Sequence, residues 1–275
     1  DLPNPLTPMA FLPPNVAFQL SVKSYVAVGT TAVFAWDVVN RLSEDYRLLV
    51  KYPVRLPTLT YFLSRISTFV YVIACTVFDT APVGNCTRLA HLVDWFVIVV
   101  VSSTSFLFVL RVWAIFGYNQ YILAFFLLSW LSVTGATATI GIGLQGSAKN
   151  IGTTKYCMYT HAPSYISSSF IVPFIHDTLV FAAITWRLFQ NIASDSIGMR
   201  KGIRMVIFGD YLPVFSRALL QDGQMYYLTV LTSGLITIIM FYLPFPPGYK
   251  LLFTIPNITI ANIMAARVYR NTKFE

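Results

Sequence analysis

Residues 34–65 read FAWDVVNRLSEDYRLLVKYPVRLPTLTYFLSR. The stretch joins the end of one apolar run to the start of the next through a charged corner. Arg41, Arg47, Lys51 and Arg55 stand in that corner beside Glu44 and Asp45. One ion, Asp37 or Arg65, lies just inside the apolar run on either side. Cations gathered where apolar runs end are what the cytoplasmic loops of membrane proteins present. The corner therefore marks a polytopic membrane protein and sets which way it sits. It names no ligand and no reaction.

Composition points the same way. Of 275 residues, 56% are hydrophobic and 11% charged, with a mean hydropathy of +0.65. Soluble domains carry about a quarter charged residues. The net charge of +8 does not form a nucleic-acid footprint, because the cations are spread over the ends of apolar runs.

Seven apolar runs are near the roughly 20 residues that a bilayer requires. They fall at about 16–39, 57–78, 89–115, 120–143, 165–188, 225–243 and 250–268. The predicted fold is an all-α membrane protein, a seven-transmembrane-helix bundle forming one domain over 16–270. Lys23 interrupts the first run near its outer end, where its side chain can snorkel to headgroups. Pro173 and Pro256 fall within predicted helices and are expected to kink them. Residues 1–15 hold five prolines, predicting an extended lead-in with no regular hydrogen bonding. That segment has no basic region of the kind that opens a secretory signal. Residues 271–275 form a short tail. Between 189 and 224, apolar residues such as Ile203, Phe208 and Leu212 alternate with Arg204, Asp210 and Arg217. That mixture predicts an interfacial helix before the sixth span.

Thirteen Lys and Arg residues fall on one side of this arrangement, in the 40–56 corner, the 111–119 turn, the 187–221 connection and the segment after 266. Five fall on the other side or at its edge: Lys23, Arg88, Lys149, Lys155 and Lys250. The richer side is cytoplasmic by the positive-inside rule, so the N-terminus is outside and the C-terminus inside. The protein is expected in the plasma membrane or another secretory-pathway membrane.

Trp36-Asp37, Leu42, Glu44, Arg47 and Arg65 resemble the amino-terminal signature of a large family of seven-helix membrane proteins from basidiomycete fungi. That signature is known as a domain of unknown function. The resemblance continues at Leu110-Arg111-Val112-Trp113-Ala114, at Asp177-Thr178, at Arg217 to Gly223 and at Ala266-Arg267-Val268-Tyr269-Arg270. The chain departs from it with Trp36 in place of Tyr and Ser64 in place of Asn. The resemblance implies a heptahelical fold in a fungal membrane, and no established activity.

Cys86 and Cys157 both lie in outer loops, where an oxidising compartment permits a bridge between them. Cys75, in the second span, reads as a small apolar filler. Asn85-Cys86-Thr87 is an outer glycosylation sequon at Asn85, and the sequon at Asn257 lies inside the seventh span. Asp37 and Arg65, entering the bilayer from the same side, are expected to pair.

Polar residues inside a bilayer are costly, which makes each a candidate for function. His91 and Asp94 share one face of the third helix. His176 and Asp177 lie near the middle of the fifth, and Asn257 and Asn262 lie in the seventh. These six either line an outward-opening pocket for a small apolar or amphipathic ligand, or each satisfies a neighbouring helix. No spacing brings metal ligands onto one face, no catalytic motif is present, and no cofactor is implied. Retinal chemistry needs a mid-membrane lysine, and Lys250 of the seventh run sits at its edge. The third helix ends LRVWAIFGYNQ without Asp-Arg-Tyr, so G-protein coupling is unsupported.

Two functional readings follow. One is a receptor-like sensor with an outer pocket. The other is a structural protein that self-assembles as a homo-oligomer in the bilayer, using aromatic surface and the small residues Gly135, Ala136, Ala138, Gly141 and Gly143 of the fourth helix. The orientation is directly testable. A tag after residue 275 should be labelled only once cells are permeabilised, and labelling on intact cells would reverse the topology.

Overall fold

The first helix, α1 (Pro14–Lys51), carries the chain through the charged corner without turning. The sequence reading ended it at 39, about three turns too early. Arg, Leu and Glu in this segment are good helix formers. Arg41 Nη1 holds Glu44 Oε1 at 2.7 Å one turn along, and Leu48 is fully buried. The helix ends at Lys51 and the next begins at Leu56, with Pro57 in its first turn.

The computed structural model describes residues 7–53, 55–161, 163–195, 224–243 and 247–274. The interfacial helix expected within 189–224 falls largely at 196–223, outside the described residues. The remaining long helices are α2 (Leu56–Thr80), α3 (Cys86–Ile115), α4 (Gln120–Gly143), α5 (Ser168–Asp195), α6 (Gln224–Tyr242) and α7 (Thr254–Phe274). The protein is thus all-α apart from a small hairpin. Five of these helices, α2 to α6, are long and apolar enough to cross a membrane. The other two are more polar, α1 through its corner and α7 through Asn257, Asn262, Arg267, Arg270 and Lys273.

Proline placement explains two local outcomes. Pro256 falls in the first turn of α7, where its missing N–H has no helical partner anyway, and not in a helix interior as expected. Pro173 does lie inside α5. At the end of the bundle expected to face outward, here termed outer, the lead-in is not wholly extended, because Pro8–Phe11 forms a 3-10 turn. The Phe11 ring lies so close to Gly152 that a Cβ there would sit 2.6 Å from it. Gly152 also has φ +56°, which side-chain-bearing residues rarely adopt.

The outer 144–164 connection contains two short antiparallel strands, β1 (Ala148–Asn150) and β2 (Cys157–Tyr159), with Asn150 opposite Cys157 and Ala148 opposite Tyr159. Cys157 is disulfide-bonded to Cys86, the first residue of α3, with Cα atoms 5.4 Å apart. Asn85 caps that helix by accepting from the Arg88 backbone N–H, and it is exposed at the outer surface. Behind the hairpin, α3 is the hub of the bundle, packing on α2, α4, α5 and α7.

Ion pairs close both ends. Lys23 does not snorkel outward. Its Nζ lies 2.8 Å from Asp79 Oδ1, joining α1 to α2 near the outer surface. At the opposite end, Arg65 Nη1 of α2 lies 2.8 Å from Asp37 Oδ2 of α1, with side chains only 5% and 8% exposed. This contact is close in distance but not aligned as a hydrogen bond. Charge attraction and the Phe34 ring, 5.1 Å from the guanidinium carbon, hold Arg65 there.

Arg270 of α7 completes the end. It is 2% exposed, with Nε 3.1 Å from Glu44 Oε2 and Nη1 donating to the Tyr61 hydroxyl at 2.7 Å. Tyr61 in turn donates to Asp45, and its ring stacks on Tyr269 at 4.9 Å. Burial raises the Asp45 carboxyl above its ordinary range, against the pull of the Tyr61 hydrogen bond and Arg270.

Two stability tests follow. Removing the disulfide with Cys86→Ala should cost about 2–4 kcal/mol in thermal or denaturant unfolding, because the bridge closes a 71-residue separation. Loss well below that range would mean the hairpin is held by its other contacts. Asp37→Asn should cost about 3–5 kcal/mol by stranding a buried cation. Combining it with Arg65→Gln should recover part of that loss, and strictly additive losses would show that the two groups are uncoupled.

Candidate functional site

Three cavities lined by described residues do not gather the six intramembrane polar candidates into one place. The central cavity, about 60 Å³, is bounded by α3 to α7. Asp177 and Asn257 both line it. Asp177 Oδ1 is buried and has no hydrogen-bond partner among the described residues. Across the cavity, Ser233 of α6 donates to Asn257 Oδ1 at 2.7 Å. Gly234 keeps the wall close, since a Cβ there would meet the Phe174 ring at 3.1 Å. The walls alternate hydroxyls (Thr104, Ser105, Thr137, Ser169) with rings (Phe108, Phe170, Phe174).

The second cavity, about 70 Å³, lies on the outer side and shares Val97, Ile140, Phe170 and Thr254 with the first. Asp94, Asp79 and Lys23 line it. Asp94 Oδ1 accepts from the Tyr159 hydroxyl at 2.8 Å. Tyr159 also stacks on Phe78 at 4.9 Å and lies 5.8 Å from Lys23 Nζ. Burial raises the Tyr159 phenol above its ordinary range, and the neighbouring Asp94 charge adds to the shift. Asp94 is therefore engaged by the hairpin. Tyr159 of β2 forms part of the wall of that cavity.

The other candidates serve packing. His176 is 1% exposed, and its Nδ1 pairs with the Ser129 hydroxyl of α4 at 2.8 Å. Asn262 is fully buried and donates from Nδ2 to Ser64 O and Thr104 Oγ1, each at 3.2 Å, tying α7 to α2 and α3. His91 is half-buried on α3 and lines none of the three cavities. His91 and His176 thus share no cavity, and the six do not form one site. Two of the small residues of α4 are spent inside the protomer. A Cβ at Gly141 would meet the Trp95 ring at 3.1 Å, and one at Gly143 would meet Ile166 at 2.9 Å, while Gly135 faces open space.

The third cavity is the large one, about 500 Å³, and it opens at the inner end between α2, α3, α6 and α7. None of the six candidates lines it. Its walls include Arg111, Tyr118, Tyr226, Tyr269, Asn271 and Lys273. In the sequence, Arg111 and Lys273 counted toward the topology, and Arg111 also toward the resemblance, but neither toward a site. The clue was present in Tyr118 and Tyr269, aromatic residues beside those cations at the inner helix ends, but a helix-end tyrosine reads as an interface anchor.

Ligand sites ordinarily enclose about 300–1,000 Å³. Only the inner cavity reaches that size. The two smaller ones suit water or a small ion, at about 30 Å³ per water in liquid. Among the described residues no cluster of three or more His, Cys, Asp or Glu side chains forms a metal site. In comparisons with protein-family models, curated proteins and solved structures, nothing matches the chain.

Proposed function

We propose that the protein is a seven-span, receptor-like membrane sensor with its N-terminus outside and its C-terminus in the cytoplasm. The supporting observation is Asp177. A carboxylate half-way along a bilayer-length helix is expensive, and in membrane proteins such groups mark functional sites. Asp177 lines a cavity that Asn257, bonded to Ser233, also lines, and its Oδ1 is given no hydrogen bond by the described residues. A cavity of about 60 Å³ suits a proton, a hydrated small cation or water rather than an organic ligand.

Adjacency to the inner end supports sensing over mere packing. Phe108 lines both the central and the inner cavity. Its ring lies 5.2 Å from Tyr227, and the Arg111 guanidinium lies 5.7 Å from the same tyrosine ring. A change of charge at Asp177 therefore has a packed route of two rings to a cation of the inner cavity. The proposed membrane is the plasma membrane or another of the secretory pathway, where the outer face is oxidising and the Cys86–Cys157 bridge persists. Self-assembly is the weaker reading, because Gly141 and Gly143 are occupied within the protomer.

Asp177→Asn tests the proposal, since it removes the charge and keeps the shape. Amide exchange along the inner turns of α6 and α7 should change several-fold in this variant in lipid. Its thermal midpoint should hold or rise, in contrast to Asp37→Asn. Identical exchange profiles for variant and wild type would remove the sensor reading.

A further inference from the structure

We infer that the central cavity is a binding site for a monovalent cation of sodium's size, seated at Asp177 and reached from the outer cavity past Thr254. The inference rests on the reading of Asp177 as a functional group and names the ligand that reading calls for. Buried charge comes first. Asp177 lines the cavity, and its Oδ1 is buried with no hydrogen-bond partner among the described residues. A carboxylate inside a bilayer is costly without a counter-charge. One positive charge balances it.

The oxygens of the cavity favour a cation. Thr137 donates its hydroxyl proton to Val133 O at 2.8 Å, and Ser169 donates to Ile166 O at 2.6 Å. Both residues line the cavity, and with their protons engaged their hydroxyls have lone pairs to offer it. Ser169 stands toward the outer start of α5, about 12 Å along the helix from Asp177. The oxygens therefore lie along a track that ends at the carboxylate. Hard cations take oxygen ligands of this kind, and calcium takes about six to eight of them with carboxylates among them. Among the described residues no three His, Cys, Asp or Glu side chains cluster in that way, which favours a monovalent ion. A space of about 60 Å³ admits a small ion with a water, at about 30 Å³ per water in liquid.

Thr254, the first residue of α7, supplies the route. Its Oγ1 is a second buried oxygen with no hydrogen-bond partner among the described residues. It lines both the central and the outer cavity, so a hydroxyl that no described residue engages stands where the two meet. Beyond it, Asp94 and Asp79 line the outer cavity, with Lys23 paired to Asp79 at 2.8 Å. An ion entering from that side meets carboxylate oxygens first, then Thr254, then Asp177.

Thermal unfolding of the full chain in detergent tests the site, with sodium chloride exchanged for N-methyl-D-glucamine chloride at fixed ionic strength. The wild-type midpoint should rise with sodium along a saturable curve, because a ligand of the folded state stabilises it. Calcium chloride should not reproduce the rise. Asp177→Asn should lose the sodium response, and its midpoint without sodium, at or above that of wild type, shows that it folds. Thr254→Val should need about fivefold more sodium for half the effect, as for one lost polar contact. Lys149→Gln, on the exposed face of the outer hairpin, should respond as wild type does. A wild-type midpoint blind to sodium would overturn the inference and leave Asp177 to a proton. So would an undiminished response in Asp177→Asn or in Thr254→Val, or an equal response to calcium. Amide exchange scores the sensor reading separately. Altered exchange in Asp177→Asn without any sodium response in wild type keeps the sensor and removes this ligand. A sodium response with unchanged exchange keeps the site and removes the sensor.

Discussion

A charge removed from water must meet an opposite charge, and at the inner end of this bundle that requirement joins three helices. Arg270 is almost wholly buried on α7, and it is tolerated because Glu44 and Asp45 of α1 and the Tyr61 hydroxyl of α2 surround its guanidinium. Asp37 and Arg65 repeat the arrangement about two turns deeper in α1. Each ion would be costly alone, so no one of the three helices can shift without exposing a charge to the bilayer. The last three turns of α1 carry the carboxylates that meet Arg270.

The outer end is held by different chemistry to the same effect. A covalent bond fixes the hairpin to the start of α3, and Tyr159 of that hairpin reaches Asp94 about two turns below. Lys23 and Asp79 bind α1 to α2 alongside. With both ends clamped, the polar residues between them have little freedom. Most are absorbed into helix contacts, as His176 is with Ser129 and Asn262 with Ser64 and Thr104. Asp177 is different, since it lines a cavity and its Oδ1 has no hydrogen-bond partner among the described residues.

The bundle is therefore tight through its outer half and open at its inner end. Two cavities of about 60 and 70 Å³ contrast with one of about 500 Å³, and Phe108 separates the central space from the inner one. A packed middle with discrete cavities is suited to transmitting a small change, because close-packed side chains do not deform continuously. Whatever occupies the inner space bears on α3, α6 and α7 together.

Hydrophobic periodicity and the positions of the cations were enough to read an all-α, membrane-embedded chain, since lipid admits few alternatives to helices. The Asp37–Arg65 approach was legible too, because both ions enter the apolar layer from one side and at 1.5 Å per residue their depths nearly match. The compartment argument likewise paired Cys86 with Cys157. The extent of α1 was not legible, because its last turns are charged and their carboxylates meet Arg270, more than two hundred residues away. Nor was the fate of the six polar candidates. Sequence gives the depth of a residue along its helix, but not the rotation of that helix about its own axis. Rotation, set by packing around α3, turned His176 toward Ser129, gave Asp94 to Tyr159 and left Asp177 facing a cavity. The inner cavity is a gap between four helices, and only their tertiary arrangement could bring Arg111 and Lys273 to its walls.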